Sequence, residues 1–362
     1  MKEAPRQDAH NWAQVAPLLI CALVFMAHGP SIFGGFVWDD GYTVRDNPQI
    51  KDITNAPSFF TESWGSGAPE ESHAYKKNRG LYRPLTLLSF ALNHLSAGLS
   101  PIAFHFTDLL IHLSSALLLF FVARFFCATT FAALVAIVWS VHPVHTEAIA
   151  VLSYRTTLLA GFFSIAALAV QCKADQFGKR VFLRSLLMLC ALLSKEDALV
   201  LAAILPLHDL WIRKLGLKRS IQGALPLAAL GIGYLLIRSA IVTSSPFSFF
   251  ADQSASEQAF SLLQILWLYS RLLLIPFPLT PFYDWETLAL STNPLDPNVI
   301  AGVLVLGILL FSITRWRKNP DLAFISAALL MALAPYSHII PFTVGAAERF
   351  LYVPSIFSLL LI

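Results

Sequence analysis

The stretch VAPLLICALVFMAHGPSIFGGF, residues 15–36, is followed by Val37, Trp38 and the acidic pair Asp39 and Asp40. About 20 apolar residues are enough for an α-helix to cross a bilayer. No small-residue cleavage site follows the run, so we interpret it as a retained signal-anchor helix. Two adjacent carboxylates at a membrane exit are energetically costly, which makes them the first candidates for functional residues.

Composition extends this interpretation to the whole chain. Apolar residues make up 56% of the 362 residues, and charged residues only 13%. Soluble domains carry about 25% charged residues, so the mean hydropathy of +0.65 indicates a polytopic membrane protein. The net charge of +3 arises from short basic loops and does not indicate nucleic-acid binding. The four cysteines have no CxxC spacing, so neither a disulfide framework nor a zinc site is predicted.

The apolar runs predict an all-α bundle of about 10–11 transmembrane or re-entrant helices, which we treat as a single domain covering 1–362. Residues 38–102 form a long first non-cytoplasmic loop that includes an interfacial helix at 85–98. The chain ends at Ile362 inside an apolar run, so we expect it to be part of a longer protein. The predicted segments are 15–36, 104–126, 128–142, 150–172, 181–194, 197–212, 222–243, 257–276, 298–314, 321–338 and 347–362.

Lysine and arginine in short loops indicate which side is cytoplasmic. All the basic clusters fall on that side if 257–276, which contains Gln264 and Arg271, is re-entrant. This threading places the unusual polar groups together on the non-cytoplasmic face. They are Asp39 and Asp40, Arg83, 142–147, 153–155, 194–197, 283–285, and Glu348 with Arg349.

The acidic pair has three interpretations. Asp39 or Asp40 can act as a general base that deprotonates a hydroxyl acceptor. The two can instead hold a divalent metal that neutralises phosphate, the one cofactor that this pattern allows. An exposed acidic loop without a function is the third interpretation.

The motif HPVHTE at 142–147 brings three polar groups to the end of a short apolar segment. On a helix, His142 and His145 would share one face, and Glu147 could orient one of them. A metal site lacks a third defined ligand, so a role in shaping a sugar or phosphate pocket is favoured. A group that only braces the cavity wall is the alternative.

Several ionisable groups lie inside apolar surroundings, where they are costly and often functional. Lys195 is a candidate for binding a lipid phosphate through the compact charge of its ammonium group. Arg349 is a second candidate, because its planar guanidinium can donate two parallel hydrogen bonds to a phosphate. Glu196 and Glu348 are candidates for the same donor-binding site. The structural interpretation of Lys195 is a salt-bridged turn at 194–197, and that of Arg349 is pairing with Glu348 or capping a helix. Arg83 and Arg155 have the same two interpretations. For His105, Asp108 and His112, which share a helix face, we favour a buried hydrogen-bond network.

The order of the motifs resembles the membrane region of the TMTC family, the transmembrane and tetratricopeptide-repeat O-mannosyltransferases, and of their bacterial relatives. The resemblance implies a GT-C glycosyltransferase fold, a polyprenyl- or dolichyl-phosphate sugar donor and an essential acid in the first non-cytoplasmic loop, here Asp39 or Asp40. The family's tetratricopeptide repeats have no counterpart in this chain. The matching stretches are FVWDD at 36–40, DNP at 46–48, YRPLT at 82–86, Asn93, His105, His112, HPVHTEA at 142–148, SKE at 194–196, 276–285 and AERFLYVPS at 347–355.

The sequence therefore predicts transfer of a sugar, with mannose as first choice, from a polyprenyl-phosphate donor to a hydroxyl, with Ser or Thr of a protein as favoured acceptor. A nucleotide-sugar donor is disfavoured because no Gly-rich or Walker motif is present. Alternatives are a lipid- or glycan-directed transferase, a transporter of a polyprenyl-linked substrate, and an inactive scaffold. A bacterial plasma membrane is favoured over the endoplasmic reticulum, because the chain has no long additional loop.

Overall fold

The computed structural model is mostly helical in the part of the chain that it describes. Asp284, considered above, and most of residues 62–80 of the first loop lie outside that part. The described residues are 7–66, 80–242, 249–250, 253–280, 283, 285–288, 290–338 and 344–361.

The helices largely follow the apolar runs, and several begin or end at proline, glycine or charged residues that favour caps and turns. For example, Pro84 occupies the first turn of its helix, and Gly98 ends the same helix with a φ of 59°. In chain order the helices are α1 (Gln7–His28), α2 (Pro84–Ala97), α3 (Pro101–Ala123), α4 (Thr129–Ser140), α5 (Thr146–Ala150), α6 (Arg155–Lys173), α7 (Phe177–Leu192), α8 (Leu201–Trp211), α9 (Leu217–Ile241), α10 (Ala255–Leu274), α11 (Trp285–Leu288), α12 (Pro297–Thr314), α13 (Pro320–Leu333) and α14 (Pro354–Leu361).

The predicted class, an all-α integral membrane protein with several spans, is confirmed. Within the described residues, five helices are long and apolar enough to cross a membrane, and a sixth span results if the bent pair α4 and α5 is counted as one. The other predicted segments form shorter or more polar helices, such as α8 with 11 residues. The five are Trp12–Phe33, Pro101–Ala123, Leu152–Lys173, Leu217–Ile241 and Pro297–Thr314.

The chain divides into two compact units, and the prediction of a single domain stays a prediction. The first unit contains Met1–His142, Ala148–Leu201 and Leu225–Ser244. In it, α3 packs against α6, α6 against α7, and α1 against α4. The second unit contains Pro143–Glu147, Ala202–Ala224 and Ser245–Ile362.

The start of the first loop folds onto the helices of the first unit. Short helical turns between Gly41 and Phe60 bury Val44, Ile50 and Phe59 against Phe90 of α2. Burying one such side chain contributes about 1.5–3 kcal/mol. The loop therefore has its own hydrophobic core, which gives a fixed position to the acidic pair at its start.

In the second unit, α10 packs against α12. A capping box starts α10, because Ser254 Oγ accepts a hydrogen bond from the Glu257 amide while Glu257 accepts one from the Ser254 amide. The two helices meet at Gly302, where an added Cβ would lie 2.6 Å from the Leu263 carbonyl carbon. Glycine is thus required by the close approach of the backbones.

We expect Gly302→Ala to lower the free energy of unfolding by about 3 kcal/mol, the upper end of overpacking effects, because the new methyl group meets backbone rather than a movable side chain. Gly307→Ala on the same helix is the control, since an added Cβ there meets nothing within 4 Å. Thermal unfolding in detergent measures both variants. Equal melting temperatures would contradict the close packing.

Candidate functional site

Asp40 is buried in the turn after the first membrane helix, and hydrogen bonds surround its carboxylate. The amides of Val37, Leu152 and Ser153 donate to it over 3.1, 3.3 and 2.8 Å. The Ser153 hydroxyl donates a further hydrogen bond. Burial raises the pKa of Asp40, and these hydrogen bonds oppose the rise. Asp40 therefore attaches the first loop to the start of α6.

Asp39 differs from its neighbour because its side chain is only partly buried. Its backbone carbonyl accepts hydrogen bonds from the Thr43 amide and hydroxyl at 2.9 and 2.6 Å, which hold the main chain. Burial, and then the hydrogen bond between Tyr42 and the Asp39 carboxylate, raise the pKa of Tyr42. Trp38 adopts a left-handed φ of 51°, uncommon for a bulky residue. The turn thus separates two adjacent carboxylates into one enclosed group and one accessible group.

Lys195 lies at the same end of α6. Its Nζ donates to Thr157 Oγ1 at 3.1 Å and forms an ion pair with Asp197 at 2.8 Å. Burial lowers the pKa of Lys195. Thr157 follows Ser153, the partner of Asp40, by four residues. The acidic loop and Lys195 are therefore both attached at the helix N-terminus, where the backbone dipoles favour an anion.

Arg83 and Glu196 form a two-point ion pair in the first unit. The Arg83 Nε and Nη2 atoms donate to the two oxygens of Glu196 at 3.1 and 3.0 Å. Burial acts against the charged carboxylate, but the Arg83 charge outweighs it, so the pKa of Glu196 is lowered to about 2. The pair remains charged at neutral pH. The Arg83 Nη1 atom takes no part in these two hydrogen bonds.

Arg155, the third candidate for binding phosphate in this unit, is enclosed. Its side chain is 0% exposed and forms an ion pair with Asp108, which is equally buried. It also donates to Asn93 at 2.5 Å and to the Phe104 carbonyl at 2.8 Å. Its guanidinium lies 4.4 Å from the centre of the Phe90 ring. These contacts assign Arg155 a structural position between α2, α3 and α6.

The two histidines of α3 lie within hydrogen-bonding distance of backbone carbonyl oxygens. His105 Nε2 lies 3.2 Å from the Gly35 oxygen, and His112 Nε2 lies 2.9 Å from the Ser140 oxygen. His28 of α1 reaches the same Ser140 oxygen at 3.2 Å. The contacts form the buried network that the sequence favoured for these residues.

In the second unit, Arg349 and Glu147 are joined by two hydrogen bonds. The Arg349 amide donates to Glu147 at 2.9 Å, and its guanidinium forms an ion pair with the same carboxylate. Glu348 accepts from the Thr280 amide at 2.8 Å and from the Tyr283 hydroxyl at 3.1 Å. Burial raises the pKa of Glu348. The adjacent residues Glu348 and Arg349 thus bind different partners rather than each other.

The stretch 142–147 is not one continuous helix, so the condition under which His142 and His145 would share a helix face is not met. Helix α4 ends at Ser140, and a 3₁₀ turn, Pro143–His145, precedes α5. Pro143 favours this break, because proline lacks an amide hydrogen and disfavours the α conformation of the residue before it. His142 is buried where α4 ends, and the His145 ring packs edge-on against Tyr352 with the ring centroids 4.9 Å apart.

Among the described residues, no group of three or more His, Cys, Asp or Glu side chains is placed to hold a metal ion. The structure adds two residues that were not singled out from the sequence, Tyr42 beside Asp39 and Thr157 beside Lys195. The close spacing of Tyr42 and Asp39 was a local signal. Thr157 gave no signal, because its partner is 38 residues away.

Comparisons with known proteins support the resemblance. No protein-family profile and no solved structure matches the chain. A Caenorhabditis elegans protein O-mannosyl-transferase is 26% identical over 97% of this chain and 51% of its own length. Mus musculus protein O-mannosyl-transferase TMTC3 is 27% identical over 93% of this chain and 40% of its own length. Homo sapiens protein O-mannosyl-transferase TMTC1 is 31% identical over 58% of this chain and 25% of its own length.

The chain is therefore a TMTC-like integral membrane protein, and the resemblance seen in the sequence motifs is confirmed. It spans about half the length of the curated relatives that it matches, or less.

Proposed function

We propose that this chain is a membrane-embedded glycosyltransferase of the GT-C type, which moves mannose from a polyprenyl-phosphate donor to Ser or Thr hydroxyls of proteins at the non-cytoplasmic face. The names of the relatives support sugar transfer to protein. Attack by the hydroxyl oxygen on the sugar's anomeric carbon forms the new bond, and the bond to the phosphate oxygen breaks. The phosphate leaves with the electron pair, and the anomeric configuration inverts.

The observation that carries this proposal is the difference in environment between the two aspartates: Asp40 is buried and hydrogen-bonded, whereas Asp39 is partly exposed. The lone pairs of Asp40 are used by Val37, Leu152 and Ser153. Asp39 is partly exposed, and its turn is held by other atoms. A general base must reach the proton that it removes. We therefore assign the base to Asp39, which takes the acceptor's hydroxyl proton, and a positioning role to Asp40.

Lys195 is our candidate for stabilising the leaving phosphate in the first unit. It is a buried ammonium beside the N-terminus of α6, and both features strengthen its interaction with a developing negative charge. Arg83, with Nη1 outside its pair with Glu196, is the second candidate. Arg349, Glu348, His145 and Glu147 in the second unit, and His142, stay as predicted donor-binding or pocket-shaping residues.

The proposal is tested with radiolabelled polyprenyl-phosphate mannose and membranes that contain the chain. We expect labelled mannose linked to Ser or Thr of protein, and none with membranes that lack the chain. Nucleotide-linked mannose, supplied where no polyprenyl phosphate is present, should give no product. If the folded chain transfers nothing from any polyprenyl-phosphate sugar, the proposed reaction is wrong.

We expect Lys195→Met to raise the KM for the donor by about 10- to 100-fold, since a hydrogen bond to a charged group contributes roughly 1.5–3 kcal/mol. Lys173→Met, at the opposite end of α6 and exposed, is the matched control and should leave the KM unchanged. Initial rates at varied donor concentration give both values, and thermal unfolding verifies folding. An unchanged KM in a folded Lys195→Met variant would exclude Lys195 from donor binding.

A further inference from the structure

A cleft in the second unit lies far along the chain from the acidic pair. It has a volume of about 350 Å³, which is within the range of small-ligand sites. Its lining includes Trp211, the last residue of α8, and Lys214 in the turn that follows, together with Trp316 and Arg317 after α12. The cleft is therefore formed by the two loops that carry most of the basic residues of this unit.

Two tryptophans form one wall of the cleft. The Trp211 and Trp316 rings stack with their centroids 5.9 Å apart and an angle of 13° between planes. The Arg317 guanidinium carbon lies 5.1 Å from the Trp316 ring centre. Trp316 is nevertheless 40% exposed. Tryptophan is enriched at the level of lipid headgroups, where its apolar ring and polar N–H are both accommodated.

The backbone of the α8–α9 turn places Lys214 at the cleft. Lys214 has a φ of 52° and Gly216 a φ of 77°, so the turn passes twice through the left-handed region. Lysine rarely adopts this conformation, and such residues cluster at ligand-binding positions. The exposed Lys214 side chain is thus held at the cleft by a backbone conformation that is unfavourable for lysine.

The surrounding charge is strongly positive. The positive-inside rule predicts that both loops face the cytoplasm. The two loops and the adjoining helix ends contain two acidic residues, the buried Asp209 and the exposed Asp321. They contain seven basic residues, namely Arg213, Lys214, Lys218, Arg219, Arg315, Arg317 and Lys318.

We propose that this cleft binds the phosphate-bearing headgroup of an anionic membrane phospholipid. Lys214 and Arg317 contact the phosphate, and the stacked tryptophans contact the glycerol and the first methylene groups. Basic pockets between helices at the cytoplasmic side suit such headgroups. A nucleotide fits less well, because one face of each tryptophan is already covered by the other ring and is not open to a base. The site lies outside the proposed transfer reaction, and its test does not depend on transferase activity.

The experiment uses the full chain purified in a neutral detergent, where a charged bilayer surface cannot attract the protein. Phosphatidylglycerol or phosphatidylcholine is titrated in, and native mass spectrometry counts the bound lipid. Glycerol phosphate is the soluble arm, because it carries the same phosphate without acyl chains. The test variant is Lys214→Gln with Arg317→Gln. The matched control is Lys218→Gln with Arg315→Gln. It removes the same two residue types from the first turn of α9 and from the position after α12, both outside the cleft lining.

We expect wild type and control to bind phosphatidylglycerol in preference to phosphatidylcholine, and the test variant to bind it about 25-fold more weakly, at about fivefold per cation. Trp316→Ala should also weaken binding, and Trp316→Phe should restore part of it. Equal losses in the test and control variants would overturn the proposal by showing diffuse charge attraction. Glycerol phosphate binding as tightly as the lipid would overturn the assignment to a membrane lipid. Thermal unfolding identifies any misfolded variant. If the test variant is misfolded, lipid binding by Trp316→Ala and Trp316→Phe tests the proposal instead, and equal binding by wild type and Trp316→Ala would overturn it.

Discussion

Asp39→Asn is expected to lower the rate of mannose transfer by about 100- to 10,000-fold, the usual contribution of a positioned general base. Asparagine has nearly the same shape and still accepts the Tyr42 hydrogen bond, but it cannot take a proton from the acceptor hydroxyl. The melting temperature and the donor KM should stay close to wild type, because the Asp39 backbone is held by Thr43. Initial rates at saturating donor provide the measurement.

Asp40→Asn is the internal comparison, and its effect should be on stability. Each Asp40 oxygen accepts hydrogen bonds, from Val37 and Leu152 on one side and from Ser153 on the other. The amide nitrogen of asparagine would replace one of these two oxygens and would face N–H donors in either position. Each buried donor left without an acceptor costs about 1–3 kcal/mol. A stable Asp40→Asn variant without activity, beside a fully active Asp39→Asn variant, would reverse the two roles.

Arg155→Met is expected to lower the free energy of unfolding by about 3–5 kcal/mol, because it leaves the Asp108 carboxylate buried without its cation. The thermal unfolding midpoint in detergent and the yield of folded protein should both fall. Adding Asp108→Asn should restore much of the loss, since the uncompensated charge is then removed. A folded Arg155→Met variant with weakened donor binding would instead support the phosphate role predicted from sequence.

The helical framework was predictable because hydrophobic length alone limits what a membrane segment can be. Each apolar run identified from the sequence contains or overlaps a helix, from α1 to α14. Pro143 favours the break that the structure has there, but a proline alone does not predict one, because Pro17, Pro206 and Pro226 lie inside helices. The shared face of His142 and His145 depended on a helix through both residues, and the structure has no continuous helix there.

The roles of individual site residues were harder to predict from the sequence. Asp39 and Asp40 are chemically identical neighbours, and most of the hydrogen bonds that distinguish Asp40 come from residues 112 and 113 positions away. For Arg349 the sequence offered Glu348 as one alternative partner, whereas the structure pairs Arg349 with Glu147. It offered no specific partner for Glu196, which the structure pairs with Arg83. A single sequence carries no information about which of several opposite charges will meet, because long-range pairing depends on how the helices pack.

The separation of Asp40 from Ser153 has a consequence for biosynthesis. Synthesis proceeds at about 5–20 residues per second, so about 6 to 23 seconds pass between the two residues, which are 113 positions apart. The Arg83–Glu196 pair also spans 113 positions. Until α6 has emerged, the first loop lacks the serine that fixes its acidic turn. The nascent protein therefore inserts several helices before its proposed base is positioned, and under the proposed mechanism sugar transfer can begin only after this later step of assembly.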